Sequence, residues 1–138
     1  MKFSPLLSDL IKSLQVLPGV GPKTAKRMAM SLLGGDEADA KNLANNLSRA
    51  IDLIGTCQNC RVLSEDQICS ICNDSSRDNT QVCVVENTSQ VVQIEELGGF
   101  KGIYFVLGGY LSPIEGRGPN VIGLSELNSK ALSGEIKE

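Results

Sequence analysis

The sequence predicts an α+β protein of several modules: a helical N-terminal module, a small four-cysteine ribbon and a partial α/β domain. Three observations carry this. Apolar residues recur at helical spacing over the first 54 positions. Two Cys-x2-Cys pairs follow, eight residues apart. Beyond them, short apolar runs alternate with a helical stretch and end on paired glycines. The boundaries fall near Gly55 and in the polar stretch Asn73 to Asn79, giving modules over 1–55, 56–78 and 79–138.

The first module reads as three helices. Leu7, Leu10, Ile11 and Leu14 lie at i, i+3, i+4, i+7, one face of a helix that Pro18 ends. Ala25, Met28, Ala29, Leu32 and Leu33 repeat the spacing after Pro22, which suits the first helical position, and Gly34-Gly35 stops the run. Ala40, Leu43, Ala44, Leu47, Ile51 and Ile54 form a third stripe. Three such stripes are expected to pack together. With no His, no Trp and five aromatics, the core must be aliphatic. No apolar run approaches the ~20 residues of a membrane span, and Pro5 and Asp9 break the pattern of a signal peptide. A cytoplasmic protein is expected.

Between the first two helices lies "LPGVGPKTAKRMA", Leu17 to Ala29. A P-loop needs a preceding strand and G-x-x-x-x-G-K-[ST]; here a helix precedes, and Gly19 and Gly21 are two apart. The alternatives are an ordinary helical turn, or a turn whose amides face a phosphate at a helix N-terminus. Charge distinguishes this end of the chain. Residues 1–33 carry five Lys/Arg and one Asp, a net +4, while 34–72 and 73–138 carry −3 and −4. Lys23, Lys26 and Arg27 lie off the Ala25/Met28/Ala29 face, as the solvated side of a helix or as phosphate contacts.

Cys57, Cys60, Cys69 and Cys72 have the spacing of a closed tetrahedral thiolate site, with the intervening segment folding back as a short ribbon. Four filled positions leave none for water, so one structural zinc is the expected cofactor; iron in the same four-sulfur cage has the same sequence pattern. Two disulfides would not suit a cytoplasmic chain. Cys83 stands outside the pattern, in the strand-like "QVCVVE".

In the third segment, Val82 to Val85 reads as a strand ending in Glu86. Thr88 or Ser89 is expected to cap a helix through Leu97, and Ile103 to Leu107 is a second strand. This is a βαβ unit with parallel strands. "LSPIEGRGP" is a polar loop, and Ser125 to Leu132 one more short helix.

"SPLLSDLI", "LPGVGPKTAKRMA", the cysteine spacing, "CVVEN", "YFVLGGYLSPIEGRGP" and "IGLSEL" together resemble the RecR family of bacterial recombination mediators, along essentially the whole chain. The resemblance implies a helix-hairpin-helix domain, a zinc finger and part of a Toprim domain. It implies a non-catalytic DNA clamp, assembled as a ring-like tetramer, that works with RecO and RecF in loading recombinase at gapped DNA. By that likeness Gly19, Gly21, Lys23, Lys26 and Arg27 form a sequence-independent DNA contact, and Glu86 matches the Toprim acidic position.

Against that family pattern, the sequence stops at "ALSGEIKE", before further Toprim strands. The expectation is a fragment, or missing strands supplied by a partner. Two other functions compete. Toprim enzymes hold a divalent cation with a Glu and an Asp-x-Asp pair for phosphoryl transfer; Glu86 is present, but no Asp-x-Asp occurs. A zinc-ribbon interaction module without DNA contact is the other.

Overall fold

The computed structural model describes residues 3–108 and 114–138. Gly109 and Leu111 to Pro113, the start of the expected polar loop, lie outside the described residues. The chain divides into two units, residues 1–52 and 53–138.

In the first unit, α1 (Pro5–Leu14) starts at Ser4, whose hydroxyl accepts from the Leu7 amide. Helix α2 (Pro22–Gly34) starts with Pro22 in its first turn, and α3 (Glu37–Leu53) begins where the Asp36 carboxylate accepts from the Ala38 amide. The core is Ile11, Ala25 and Ala29, covered by Leu7, Leu10, Leu14 and Val20. Both alanines are 0% exposed; their small size lets α1 and α2 approach closely.

The expected packing of three stripes is corrected here. Helix α3 has no buried residue, and Leu43, Leu47 and Ile51 are 54%, 60% and 73% exposed. Met28 is likewise on the exposed side of α2. The α1/α2 core is complete without the third stripe. Periodicity marks a face as apolar without naming what covers it.

In the second unit, β1 (Gly55–Thr56) pairs antiparallel with β2 (Leu63–Ser64), and a short helix α4 (Ser70–Asn73) follows. Strand β3 (Asp78–Val85) pairs parallel with β4 (Gly102–Val106), joined through α5 (Thr88–Leu97); α6 (Leu124–Leu132) comes last. Asn87 caps α5, its side chain accepting from the Gln90 amide, in place of the expected Thr88 or Ser89. Helix α5 ends on Gly98 at φ +69°. Strand β3 also begins four residues earlier than its apolar run. Beyond it, Thr80 and Val82 hydrogen-bond with Lys137 and Glu138, so the chain's last residues line that edge of the sheet. Among the described residues no helix is long and apolar enough to cross a membrane.

The β3/β4 register shifts between Asp78 and Val82, so residues 79–81 bulge over Gly102. A Cβ on Gly102 would stand 2.5 Å from the Gln81 carbonyl oxygen and 2.5 Å from Phe100 Cζ. Gly102→Ala is therefore expected to lower the stability of the second unit by about 1–3 kcal/mol, the cost of overpacking a tight interior, read as an earlier denaturant midpoint.

Candidate metal centre and nucleic-acid interface

The second unit is organised around its cysteines. The backbone turns tightly at the first pair: the Arg61 amide donates to Cys57 O, and the Cys57 amide to Val62 O, both at 2.8 Å. Arg61 adopts φ +66° to close this turn. The second pair lies at the start of α4, where the Cys69 amide donates to Cys57 Sγ at 3.3 Å. All four sulfurs lie within 4.8 Å of one another, and Cys60 and Cys69 Sγ are 3.5 Å apart. A tetrahedron with metal–sulfur distances of about 2.3 Å has edges of about 3.8 Å, so the cage has the size for a metal ion, and its all-sulfur donor set fits zinc.

Electrostatics sharpens the fit. Burial raises the Cys57 thiol, but amides of Cys69, Cys60 and Asn59 donating toward it outweigh this and bring it to about 6. Burial pushes Cys60 far up, helped by the neighbouring Cys72 and Cys69 thiols, and pushes Cys72 up to about 11. Cys57 is thus poised as a thiolate, while Cys60 and Cys72 need a cation to ionise beside it. Cys83 is half-buried on β3 against the same core, outside the cage.

Cage and sheet share one core. Cys57, Cys60 and Cys69 pack with Val62, Val85, Val91, Tyr104 and Val106, and the Val106 amide donates to Cys60 O at 2.8 Å. Polar ties that the sequence reading missed complete the join. Arg77 forms a fork with Glu95 at 3.0 and 2.5 Å and donates to Gly102 O at 3.1 Å. Tyr104 donates to the same Glu95, whose acidity is strengthened first by the Arg77 hydrogen bonds. Lys130 Nζ, on α6, donates to Asn59 O and Oδ1 at 2.6 and 2.7 Å. Arg77 falls within the stretch read as a polar boundary; nothing local in the sequence marks its partner 18 residues away.

The hairpin residues lie in the other unit. Leu17 O accepts from the Val20 amide, with Pro18 second in the turn and Gly19 third at φ +76°, the arrangement of a type II turn. Gly21 precedes α2 with no side-chain cap on the helix start, and the space around its Cα is open. Lys23, Lys26 and Arg27 are all exposed on the first two turns, with Lys26 Nζ 5.7 Å from the Phe3 ring centroid. Glu86 follows the end of β3, exposed, its amide bonded to the Gln90 side chain. Among the described residues, the four cysteines alone form a group of three or more metal-binding side chains.

Comparison with known proteins agrees with this arrangement. Residues 7–51 match the family model "RecR, helix-hairpin-helix", and residues 80–138 match the Toprim domain. The chain is 48% identical over 136 residues to the recombination protein RecR of Saccharophagus degradans, covering 99% of this chain and 69% of that protein. It is 46% identical over 138 residues to the recombination protein RecR of Stutzerimonas stutzeri, covering 100% of this chain and 69% of that protein. With a helical hairpin, a four-cysteine cage and a Toprim segment in that order, the chain belongs to the RecR family of recombination proteins.

Proposed function

We propose that this chain is a non-catalytic, DNA-binding subunit of a clamp in recombinational DNA repair. The observation that carries the reading is the start of α2: an open Gly21, no side-chain cap, and Lys23, Lys26 and Arg27 exposed together. Uncapped amides at a helix N-terminus and nearby cations suit a phosphate backbone. Such contacts carry no base information, so binding is sequence-independent. The likeness to recombination proteins named RecR supports a clamp over a phosphoryl-transfer enzyme. The proposal includes a cytoplasmic location, RecO and RecF as partners, and recombinase loading at gapped DNA.

Zinc, one per chain, is the proposed occupant of the cage, held by Cys57, Cys60, Cys69 and Cys72. It supplies cross-linking; no chemistry is routed through it. A homo-oligomer, and in the family's manner a ring-like tetramer, is supported by the exposed Leu43, Leu47 and Ile51 stripe of α3, which a second copy would cover. Linked hairpins then raise affinity by avidity.

Three outcomes are expected. The log–log salt slope of duplex binding should be roughly −3 per chain, from about −0.9 per phosphate, and Lys23→Ala with Arg27→Ala should flatten it by about two units without changing metal content. Unchanged affinity and slope in that variant would reduce the hairpin to a structural turn. Gly21→Val should weaken DNA binding while the chain stays folded, since nothing lies within 4 Å of the added Cβ.

Metal affinity should fall with acid. Cys60 and Cys72 both carry protons at neutral pH without metal, so binding displaces at least two protons. The affinity should drop by about two orders of magnitude per pH unit near neutrality, measured by competition with a chromophoric chelator. Freshly purified, reduced protein that contains no zinc would sink the assignment.

For the oligomer, Leu47→Asp with Ile51→Asp should lower the native mass to that of a smaller species while circular dichroism keeps its helical signal. An unchanged native mass would remove α3 from the interface.

A further inference from the structure

Helix α6 is fastened at the first cysteine knuckle. It buries no residue of its own. Among the described residues, no hydrogen bond of α6 reaches a residue before Pro119 except those of Lys130. Lys130 Nζ donates to Asn59 O at 2.6 Å and to Asn59 Oδ1 at 2.7 Å. Asn59 lies between Cys57 and Cys60, so the contact falls on the knuckle itself. The Asn59 amide is directed at the Cys57 thiol. One residue therefore faces a metal-ligating sulfur through its N–H, and α6 through its carbonyl and side chain.

A second tie leaves the other end of the knuckle. Arg61 follows Cys60, and its Nη1 donates at 2.8 Å to Ile122 O, two residues before α6. Gly123, at φ +83°, makes room for it: a Cβ there would stand 1.3 Å from Nη1. Among the described residues Arg61 is the single non-glycine with positive φ, a conformation that side chains disfavour and that persists only where the surroundings hold it. The backbone there suits glycine; a guanidinium that fastens the residues leading into α6 accounts for an arginine. Both cations also meet one ring. Arg61 Cζ lies 5.9 Å and Lys130 Nζ 5.8 Å from the ring centroid of Phe105, a β4 residue that is 1% exposed.

Sulfurs held at fixed distances from one ion fix the backbone that carries them. The Asn59 carbonyl and the positive-φ turn at Arg61 belong to that backbone. We propose that the metal in the cage sets the position of α6 and of its lead-in, Ile122 and Gly123, through the Asn59–Lys130 and Arg61–Ile122 contacts. Metal binding and α6 docking are then coupled, and by linkage the coupling is reciprocal: a docked α6 tightens the metal, and loss of the metal frees α6 and uncovers Phe105. The proposal rests on the metal reading of the cage.

The test compares backbone amide shifts of the full chain loaded with zinc and, separately, with cadmium, a larger ion that takes the same thiolate ligands. Both ions are diamagnetic, so a shift difference reports a difference in geometry. In the unaltered chain the difference should extend from Asn59 and Arg61 to Gly123 and Leu124, and to Ser129, Lys130 and Ala131. Lys130→Met keeps an apolar stem beside Phe105 and removes the ammonium. It should abolish the difference at Ser129 and Ala131 while keeping it at Asn59. It should also speed hydrogen exchange of the α6 amides in the zinc-loaded chain by about three- to tenfold, the size of one net hydrogen bond. Arg61→Asn provides the second variant, since asparagine tolerates positive φ and is too short to reach Ile122. It should abolish the difference at Gly123 with metal content unchanged. Amides of α6 that are the same with both ions in the loaded, unaltered chain overturn this proposal alone. So does a difference that persists at Ser129 and Ala131 in Lys130→Met, or at Gly123 in Arg61→Asn. A chain that takes up neither ion overturns the metal reading, and this proposal with it.

Discussion

The packing of the cysteine cage against the parallel sheet is the constraint on which the second unit depends. A two-stranded sheet is at best marginal by itself. Here β3 and β4 do not stand alone: Val85, Tyr104 and Val106 share a core with Cys57, Cys60 and Cys69, and β4 continues its hydrogen bonding into the cage through Val106 and Cys60. Metal binding to such a site is worth about 10–16 kcal/mol, comparable to the whole stability of a domain, about 5–15 kcal/mol. With the proposed metal bound, the ribbon would give the sheet a layer the apolar residues alone could not.

The polar ties have the same logic. Arg77, Glu95 and Tyr104 form one network: the guanidinium fork meets both carboxylate oxygens, its Nη1 also meets Gly102 O, and the Tyr104 hydroxyl donates to the same carboxylate. Among the described residues no buried side-chain polar atom lacks a partner. A charge pair of this kind is costly when half satisfied and rigidifying when complete. Its members come from the end of the cysteine segment, from α5 and from β4, so it fixes their mutual position rather than adding a separate stabilising contact.

The sequence made the elements legible where local chemistry decides them. Helical spacing placed α1, α2 and α3, Pro18 and Gly19 placed the turn, and Cys-x2-Cys twice placed the cage. It was less legible where partners lie far along the chain. The first half of β3, Asp78 to Gln81, is polar and reads as loop; it is a strand because Gly102 leaves room for its bulge and the chain's last residues pair with its edge. Asn87 rather than Thr88 caps α5 because the Thr88 hydroxyl is engaged with Leu63 on another element. The α3 stripe was read correctly as apolar and incorrectly as packed within its own module. An amphipathic pattern specifies how much surface wants cover and leaves the cover unnamed.

The site residues divide along the same line. The four cysteines converge because a knuckle is a local object and two knuckles need only one fold-back. The hairpin glycines are also local: Gly19 needs its positive φ for the turn, whereas Gly21, at φ −83° with open space around it, has no such need. A glycine that the backbone does not require and that no neighbour crowds is most economically explained by something approaching from outside. Arg61 presents the opposite case, a side-chain residue in a conformation that favours glycine, kept there because its guanidinium is fastened to Ile122 and beside Phe105. Neither residue is what its backbone alone would select. At Gly21 the missing side chain suits the proposed phosphate contact, and at Arg61 a fixed side chain ties the cysteine turn to the segment before α6.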